Sequence, residues 1–329
     1  MNNYSNTNNY WLNINKMSAL LFPGQGSQIV GMGSEFYNNF KIVKKIFSEA
    51  DEKLNFPISK VILEGPEDQL QLTQNTQPAI LTVSYSIFKV LKNEFNFDFK
   101  KFKYFAGHSL GEYSALVCSD ALNFDDALYL LNERGKAMQE AVPVGQGSMV
   151  AVLGAKINEV INLIQTRDIK NGICEIANDN AEGQVIISGD KVSVEKFQTT
   201  LKEKKIKSIP LKVSAPFHCS LMKPAADTMK EKINNIKFNN PTIEIVNNVT
   251  AKPEKNAENI KRLLVKQIFS TVKWRESIIN MSKANVTNYI EIGPGKVLTG
   301  MAKRTIKNVN CFSINSIADI KNLNNEFKK

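Results

Sequence analysis

The sequence predicts an α/β protein, a parallel sheet flanked by helices and interrupted by a small unit of ferredoxin-like pattern. Three observations predict it. From residue 18 onward, strand-sized apolar runs alternate with helical periods. Two of these runs end in glycine-rich turns, PGQGSQ and GHSLG, each of which opens onto a helix. Between Gly147 and residue 212 the order becomes β-α-β-β-α-β.

Taken in order, SALLF at 18–22 is the first strand, and a helix is expected over about 34–50. TQPAILTVSYSIFKVLKNEF puts Ile80, Ile87 and Leu91 on one helical face. A second strand at 102–106 ends at GHSLG, and helices follow at about 109–119 and 125–141. The rhythm changes at Gly145–Gly147. Strands at 148–154, 173–177, 184–188 and 206–213 then enclose helices that end near 166 and 204. After 212 come a helix beyond His218, a strand near 243–246, helices over about 257–283, a strand at 287–292 and a helix from Lys296. The expected organisation is a disordered tail at 1–16, a discontinuous core at 17–146 and 213–316, a ferredoxin-like subdomain at 147–212 and a polar tail at 317–329.

With 43% hydrophobic and 22% charged residues, the 329-residue chain has the composition of a globular domain with room for a smaller insert. No apolar run approaches the roughly 20 residues of a membrane-spanning helix. Cys118, Cys174, Cys219 and Cys311 are scattered and form no CxxC pair, which speaks against a zinc ribbon or disulfide scaffold and fits a reducing compartment. The net charge of +10 comes almost wholly from lysine. It reads as a Lys/Asn-rich bias or as a surface that attracts an acidic partner. Nucleic acid is the weaker partner, because the basic runs carry few arginines and no recognition motif accompanies them.

Gly107-His108-Ser109-Leu110-Gly111 is a G-x-S-x-G set between a strand and a helix. In that context a strained turn lifts a serine hydroxyl out, and the helix N-terminus faces a developing oxyanion. A serine hydroxyl needs a base. The chain has two histidines. His108 adjoins the serine and reads as structural, so His218 in VSAPFHCSLM is the candidate base. The group that orients the imidazole stays open: Asp179, Asp190 and Asp227 qualify by type, and a backbone carbonyl can do the same. The loop bearing Gln25 leaves the first strand at the sheet edge where Ser109 is expected, so its N–H can join that of Leu110 in an oxyanion hole. GQGSQ is not a phosphate-binding Walker A loop, since no GK[ST] closes it. Arg134 reads as either a substrate-carboxylate clamp or a surface arginine paired with Glu133 or Glu140.

The blocks FPGQGSQ, GHSLGEYSAL, ERGKAMQEAVP, GSMVAVLG, NDNAEGQVIISG, HCSLMKPAAD and EIGPGKVLTGMAKR occur in that order from about Ala19 to Arg304. In these the chain resembles the malonyl-CoA:acyl carrier protein transacylases of bacterial and plastid type II fatty acid synthesis. The resemblance implies an α/β-hydrolase-like core with a ferredoxin-like insert. It also implies Ser109 as acylated nucleophile, His218 as base, Arg134 on the malonyl carboxylate and the amides of Gln25 and Leu110 as oxyanion hole. By the same resemblance Gln267 orients His218 through its main-chain carbonyl, and Asn178 and Asn180 are polar positions near the cleft. In related polyketide synthase domains, Phe at the position of Phe217 accompanies malonyl use and Ser accompanies methylmalonyl use.

The implied chemistry is ping-pong transfer from malonyl-CoA, a coenzyme A thioester substrate, to an acidic acyl carrier protein. No metal, no permanently bound cofactor, no nucleic acid and no membrane are expected, and the chain is expected to be a monomer. A serine esterase or thioesterase shares the elbow and base but has no need of a carboxylate clamp; a non-catalytic relative would have lost Ser or His. The Asn-rich segment MNNYSNTNNYWLNINK and the lysine bias favour a plastid-type organelle (apicoplast or plastid stroma), with a bacterial cytoplasm as the alternative.

Overall fold

Residues 17–166, 172–213 and 215–327 are described in the computed structural model. The expected tail at 1–16 lies outside them. Six strands form the larger sheet: β1 (Ser18–Phe22), β2 (Tyr104–Gly107), β7 (Glu244–Val246), β8 (Pro253–Glu254), β9 (Asn288–Ile292) and β10 (Asn310–Ile314). Their spatial order is β10-β9-β1-β2-β7-β8. All neighbours pair in parallel except β7 and β8. β1 is buried along its whole length, as a strand covered on both faces must be, which is why SALLF shows no polar alternation.

A second sheet contains β3 (Gly147–Leu153), β4 (Cys174–Ala181), β5 (Gln184–Asp190) and β6 (Lys207–Pro210) in the order β4-β5-β3-β6. Its pairs are antiparallel, and the helices Ile157–Thr166 and Lys191–Glu203 pack on it around Val150, Val152, Ile187 and Phe197. This is the ferredoxin-like arrangement. Strand β4 ties the smaller sheet to the segment between the helices Ala257–Gln267 and Trp274–Lys283: the Asp179 N–H donates to the Val272 carbonyl at 3.0 Å, and the Val272 N–H to the Ala177 carbonyl at 2.8 Å.

The register of the large sheet positions the site. Phe22 at the end of β1 pairs with Gly107 at the end of β2, so the loops that leave them emerge side by side. The His108 N–H donates to the Phe22 carbonyl at 3.1 Å. The contact is tight enough to require glycine. A Cβ on Gly111 would collide with the Phe22 carbonyl, and one on Gly107 would collide with the backbone of Gly111.

Several elements differ from expectation, each for a local reason. The helix expected over 34–50 is two helices, Ser34–Asn39 and Lys41–Leu54, because Phe40 is extended and its ring packs against Phe36 and Phe95. The strand expected over 206–213 ends at Pro210; the Val213 N–H bonds locally to the Leu211 carbonyl and takes the chain off the ladder. The helices expected over 257–283 are Ala257–Gln267 and Trp274–Lys283, as anticipated. The expected polar tail at 317–329 is corrected by a helix over Ile317–Phe327 that buries Ile317, Ile320 and Leu323; their spacing of three was masked by intervening Asn and Lys.

Gly111→Ala is expected to lower stability by at least about 3 kcal/mol, since the added methyl meets backbone and not a flexible side chain. Urea unfolding of the variant checks this.

Candidate active site

Ser109 sits in the turn between β2 and the helix Gly111–Cys118 with φ 54°, a left-handed conformation that costs a non-glycine residue free energy. Side chains from elsewhere hold it there. The Ser109 N–H donates to Asn248 Oδ1 at 2.7 Å, and Asn248 Nδ2 donates to the Gly107 carbonyl at 2.7 Å. Asn248 lies just beyond β7, the neighbour of β2. The elbow is therefore clamped from the adjacent strand.

His218 follows the second sheet and also has a positive φ, 58°. Its Nε2 is 2.8 Å from Ser109 Oγ, and its Nδ1 is 2.9 Å from the Gln267 carbonyl. A carbonyl can only accept, so Nδ1 carries the proton and the Nε2 lone pair faces the serine. Burial pushes the imidazole down to about 3, and the nearby Arg134 cation adds to this. The ring is neutral and ready to accept a proton at ordinary pH.

Three carboxylates considered by residue type do not orient His218. Asp179 accepts two bonds from Arg275 Nε at 2.9 and 3.1 Å. Asp190 caps the helix Lys191–Glu203 through the Ser193 N–H at 2.8 Å, and Asp227 is exposed. The break after Gln267, whose position the sequence pattern did not give, presents the carbonyl instead.

Arg134 is 1% exposed, so the reading of a surface arginine paired with Glu133 or Glu140 fails. Glu133 pairs with Lys136 and Lys232, both at 2.9 Å. From the helix Phe124–Glu140 the Arg134 guanidinium donates to Gln77 Oε1 at 2.7 Å, Gln267 Oε1 at 3.0 Å and Ser109 Oγ at 3.0 Å. Among the described residues no carboxylate touches it, and its Nε has no partner.

The site opens into a cleft lined by Gln25, Ser109, Arg134, Asn178, Phe217 and His218, with Gln77, Met138, Met149, Leu211 and Val213. Gln25 follows β1; among the described residues neither its N–H nor that of Leu110 donates to a protein acceptor. Asn180 Oδ1 is 2.8 Å from His108 Nε2, and the His108 ring lies against Trp274 with centroids 5.6 Å apart. His108 thus also lines the cavity, closer to the chemistry than a purely structural reading placed it. Among the described residues no cluster of His, Cys, Asp or Glu could hold a metal ion.

A family model described as acyl transferase domain matches residues 19–327. The chain belongs to this acyltransferase family. It is 41% identical over 304 residues to the malonyl CoA-acyl carrier protein transacylase of Haemophilus influenzae, covering 92% of this chain and 96% of the relative. It is 41% identical over 298 residues to that of Bacillus subtilis, covering 90% and 92%. Among solved structures, the acyl-carrier-protein-S-malonyltransferase of Bartonella henselae superposes with a TM-score of 0.91 at 39% identity, covering 95% of this chain and 99% of that one. A malonyl-transacylase in complex with a type II PKS acyl-carrier protein superposes with a TM-score of 0.90 at 38% identity, covering 94% and 99%.

Several residues of this acyltransferase site were not read from the sequence. Gln77, Glu112 and Asn248 are buried polar groups in its hydrogen-bond network. Glu112 carried one signal: it is the single charged residue in the helix GEYSALVC, all of which is buried. Gln77 and Asn248 carried none, because an amide in a loop or at a helix start is ordinary.

The depressed pKa of His218 has a stability consequence. Below pH about 6.5 the unfolded chain binds a proton there that the folded protein does not, so this group removes stability as pH falls toward 3. His218→Asn, which tolerates the left-handed backbone, is expected to relieve about 2 kcal/mol of the stability change between pH 7 and 5. Parallel urea titrations of the two proteins at both pH values test it.

Proposed function

We propose that this protein transfers a malonyl group from malonyl-CoA to the phosphopantetheine thiol of an acyl carrier protein through a malonyl-Ser109 intermediate. The observation that carries the reading is the Arg134 guanidinium, buried without a carboxylate and 3.0 Å from the nucleophilic oxygen. A hydrolase of neutral esters has no use for such a group. An acyl chain that ends in a carboxylate supplies the missing counter-charge and is oriented by it.

The steps follow from the geometry. The malonyl carboxylate pairs with Arg134, which draws the guanidinium off Ser109 Oγ. His218 Nε2 takes the Ser109 proton as Oγ attacks the thioester carbonyl. The oxyanion is received by the N–H groups of Gln25 and Leu110. As the tetrahedral intermediate collapses, the C–S bond breaks and His218 returns the proton to the coenzyme A sulfur. The carrier thiol then gives its proton to His218 and attacks the malonyl ester, and Ser109 regains the proton as it leaves. Phe217, Met138 and Met149 line the cavity, and the bulk of the Phe217 ring beside His218 supports malonyl over methylmalonyl use.

The carrier approaches an edge of the second sheet. Lys202, Lys204, Lys205 and Lys207 are exposed at the end of one helix and on edge strand β6, and the chain runs from β6 directly into Leu211 and Val213 of the cavity wall. This charge supports steering of an acidic carrier. The relatives named above are bacterial. They lend no support to the organelle expectation, which rested on residues 1–16 and on the lysine bias. Among the described residues no helix is long and apolar enough to cross a membrane.

Intact-protein mass after brief exposure to malonyl-CoA is expected to rise by one malonyl group in the wild type and not in Ser109→Ala, with acyl carrier protein removing the label. Thioester hydrolysis without an adduct would replace this reading with a thioesterase. Arg134→Ala is expected to reduce the preference for malonyl-CoA over acetyl-CoA by at least about 100-fold. Exchanging the four lysines for Glu is expected to slow carrier association at low salt. An unchanged rate would remove that edge from the docking surface.

A further inference from the structure

Glu112 is a buried carboxylate three residues beyond the nucleophile, and no step of the proposed transfer uses it. Three donors converge on it. Asn247 Nδ2 reaches Oε1 at 2.5 Å, while the Asn248 N–H and Gln267 Nε2 reach Oε2 at 3.2 and 2.8 Å. Each donor's orientation is fixed by its other bonds. Asn247 Oδ1 accepts from the N–H groups of Val249 and Thr250, which turns its NH2 toward Glu112. Gln267 Oε1 accepts from Arg134, so its NH2 faces Glu112, the Ser109 carbonyl and Asn248 Oδ1. Asn248 in turn holds the Ser109 N–H and the Gly107 carbonyl.

We propose that Glu112 is a positioning residue for the transfer reaction, an anion that locks Asn247, Asn248 and Gln267 into one unit and through them sets both the Ser109 elbow and the Arg134 clamp. This rests on the malonyl transfer proposed above. The carboxylate is also the counter-charge of Arg134 at one remove. The Gln267 amide stands between them, accepting from the cation and donating to the anion. A direct ion pair would occupy the guanidinium. Relayed through the amide, the Glu112 charge compensates the cation in part and leaves it open to the substrate carboxylate.

The arrangement works only with the ionised form, because no acceptor awaits a carboxylic proton. Burial pushes Glu112 up to about 7, opposed by the three donors and by Arg134. The other titratable groups near it are Tyr113 on its own helix and His218 across Ser109, with His108 beside them. Tyr113 is raised to about 12 and His218 lowered to about 3, and burial lowers His108 from its ordinary value near 6.5, so an acid limb near 7 belongs to Glu112.

The test is the single-turnover rate of malonyl-Ser109 formation from malonyl-CoA, by rapid quench and intact mass, across pH. The wild type is expected to lose about tenfold in rate per pH unit below about 7. Glu112→Gln keeps the volume but turns an NH2 toward the three donors. It is expected to be at least about 100-fold slower and flat with pH, with malonyl and acetyl rates brought closer together. Glu112→Asp restores an ionisable acceptor and is expected to recover part of the rate with its acid limb displaced. A Glu112→Gln protein with wild-type rate and the same limb would overturn the proposal, as would loss of rate in both variants with the limb unmoved. Should Glu112→Gln not fold, the Glu112→Asp profile decides alone, a displaced limb supporting and an unmoved limb refuting it. A wild type that forms no adduct at all would instead reject the transfer reading.

Discussion

A guanidinium at 1% exposure, with no carboxylate in contact among the described residues, is the constraint around which this molecule is organised. Such a charge loses hydration worth several kcal/mol, and neutral hydrogen-bond acceptors restore only part of it. Gln77 comes from the long helix Thr73–Glu94, Gln267 from a helix end and Ser109 from the elbow, so three separate parts of the chain are drawn to one cation. The face of Tyr113 lies 5.8 Å from it and adds a weaker attraction. In the transfer proposed above, the remaining deficit is what the substrate carboxylate removes. Selectivity in this arrangement comes from an unfavourable free state as much as from favourable contacts in the complex.

Ser109 and His218, the proposed nucleophile and base, share another property, a left-handed backbone at a non-glycine residue. Strain of this kind persists only where surrounding structure over-determines it. At Ser109 the determinants are visible: Gly107 and Gly111 permit the close approach of β1 and β2, and Asn248 takes up the exposed amide. The same turn leaves the Leu110 N–H without a protein acceptor beside the serine. The strain at Ser109, the presentation of its hydroxyl and the proposed oxyanion site are three results of one backbone geometry.

Much of this was legible in the sequence because local physics fixes it. A G-x-S-x-G set between strand and helix, one plausible base among two histidines and a switch from parallel to ferredoxin-like rhythm are short-range signals. What escaped was long-range or masked. The Gln267 carbonyl is a backbone atom at a helix end whose position the sequence pattern did not give, and only the family resemblance pointed to it. Arg134 was ambiguous because helix periodicity could not separate a buried face from one paired with Glu133. Asn248 and Gln77 act through partners distant in sequence, which no spacing encodes. The C-terminal helix was read as a tail because three apolar residues among Asn and Lys are too few to reveal a face.

The separation between partners also bears on how the protein is made. Ser109 and His218 are 109 positions apart, and Gln267 lies 158 positions beyond Ser109. Strand β9, which flanks β1, is later still. On a ribosome the elbow is synthesised long before its base, its orienting carbonyl and the amide that supports Arg134, and such distant contacts close last. A nascent chain therefore carries a serine that is chemically inert toward the thioesters around it. Reactivity arrives only with completion of the fold, so under the transfer proposed above acylation of Ser109 would double as a report that assembly has finished.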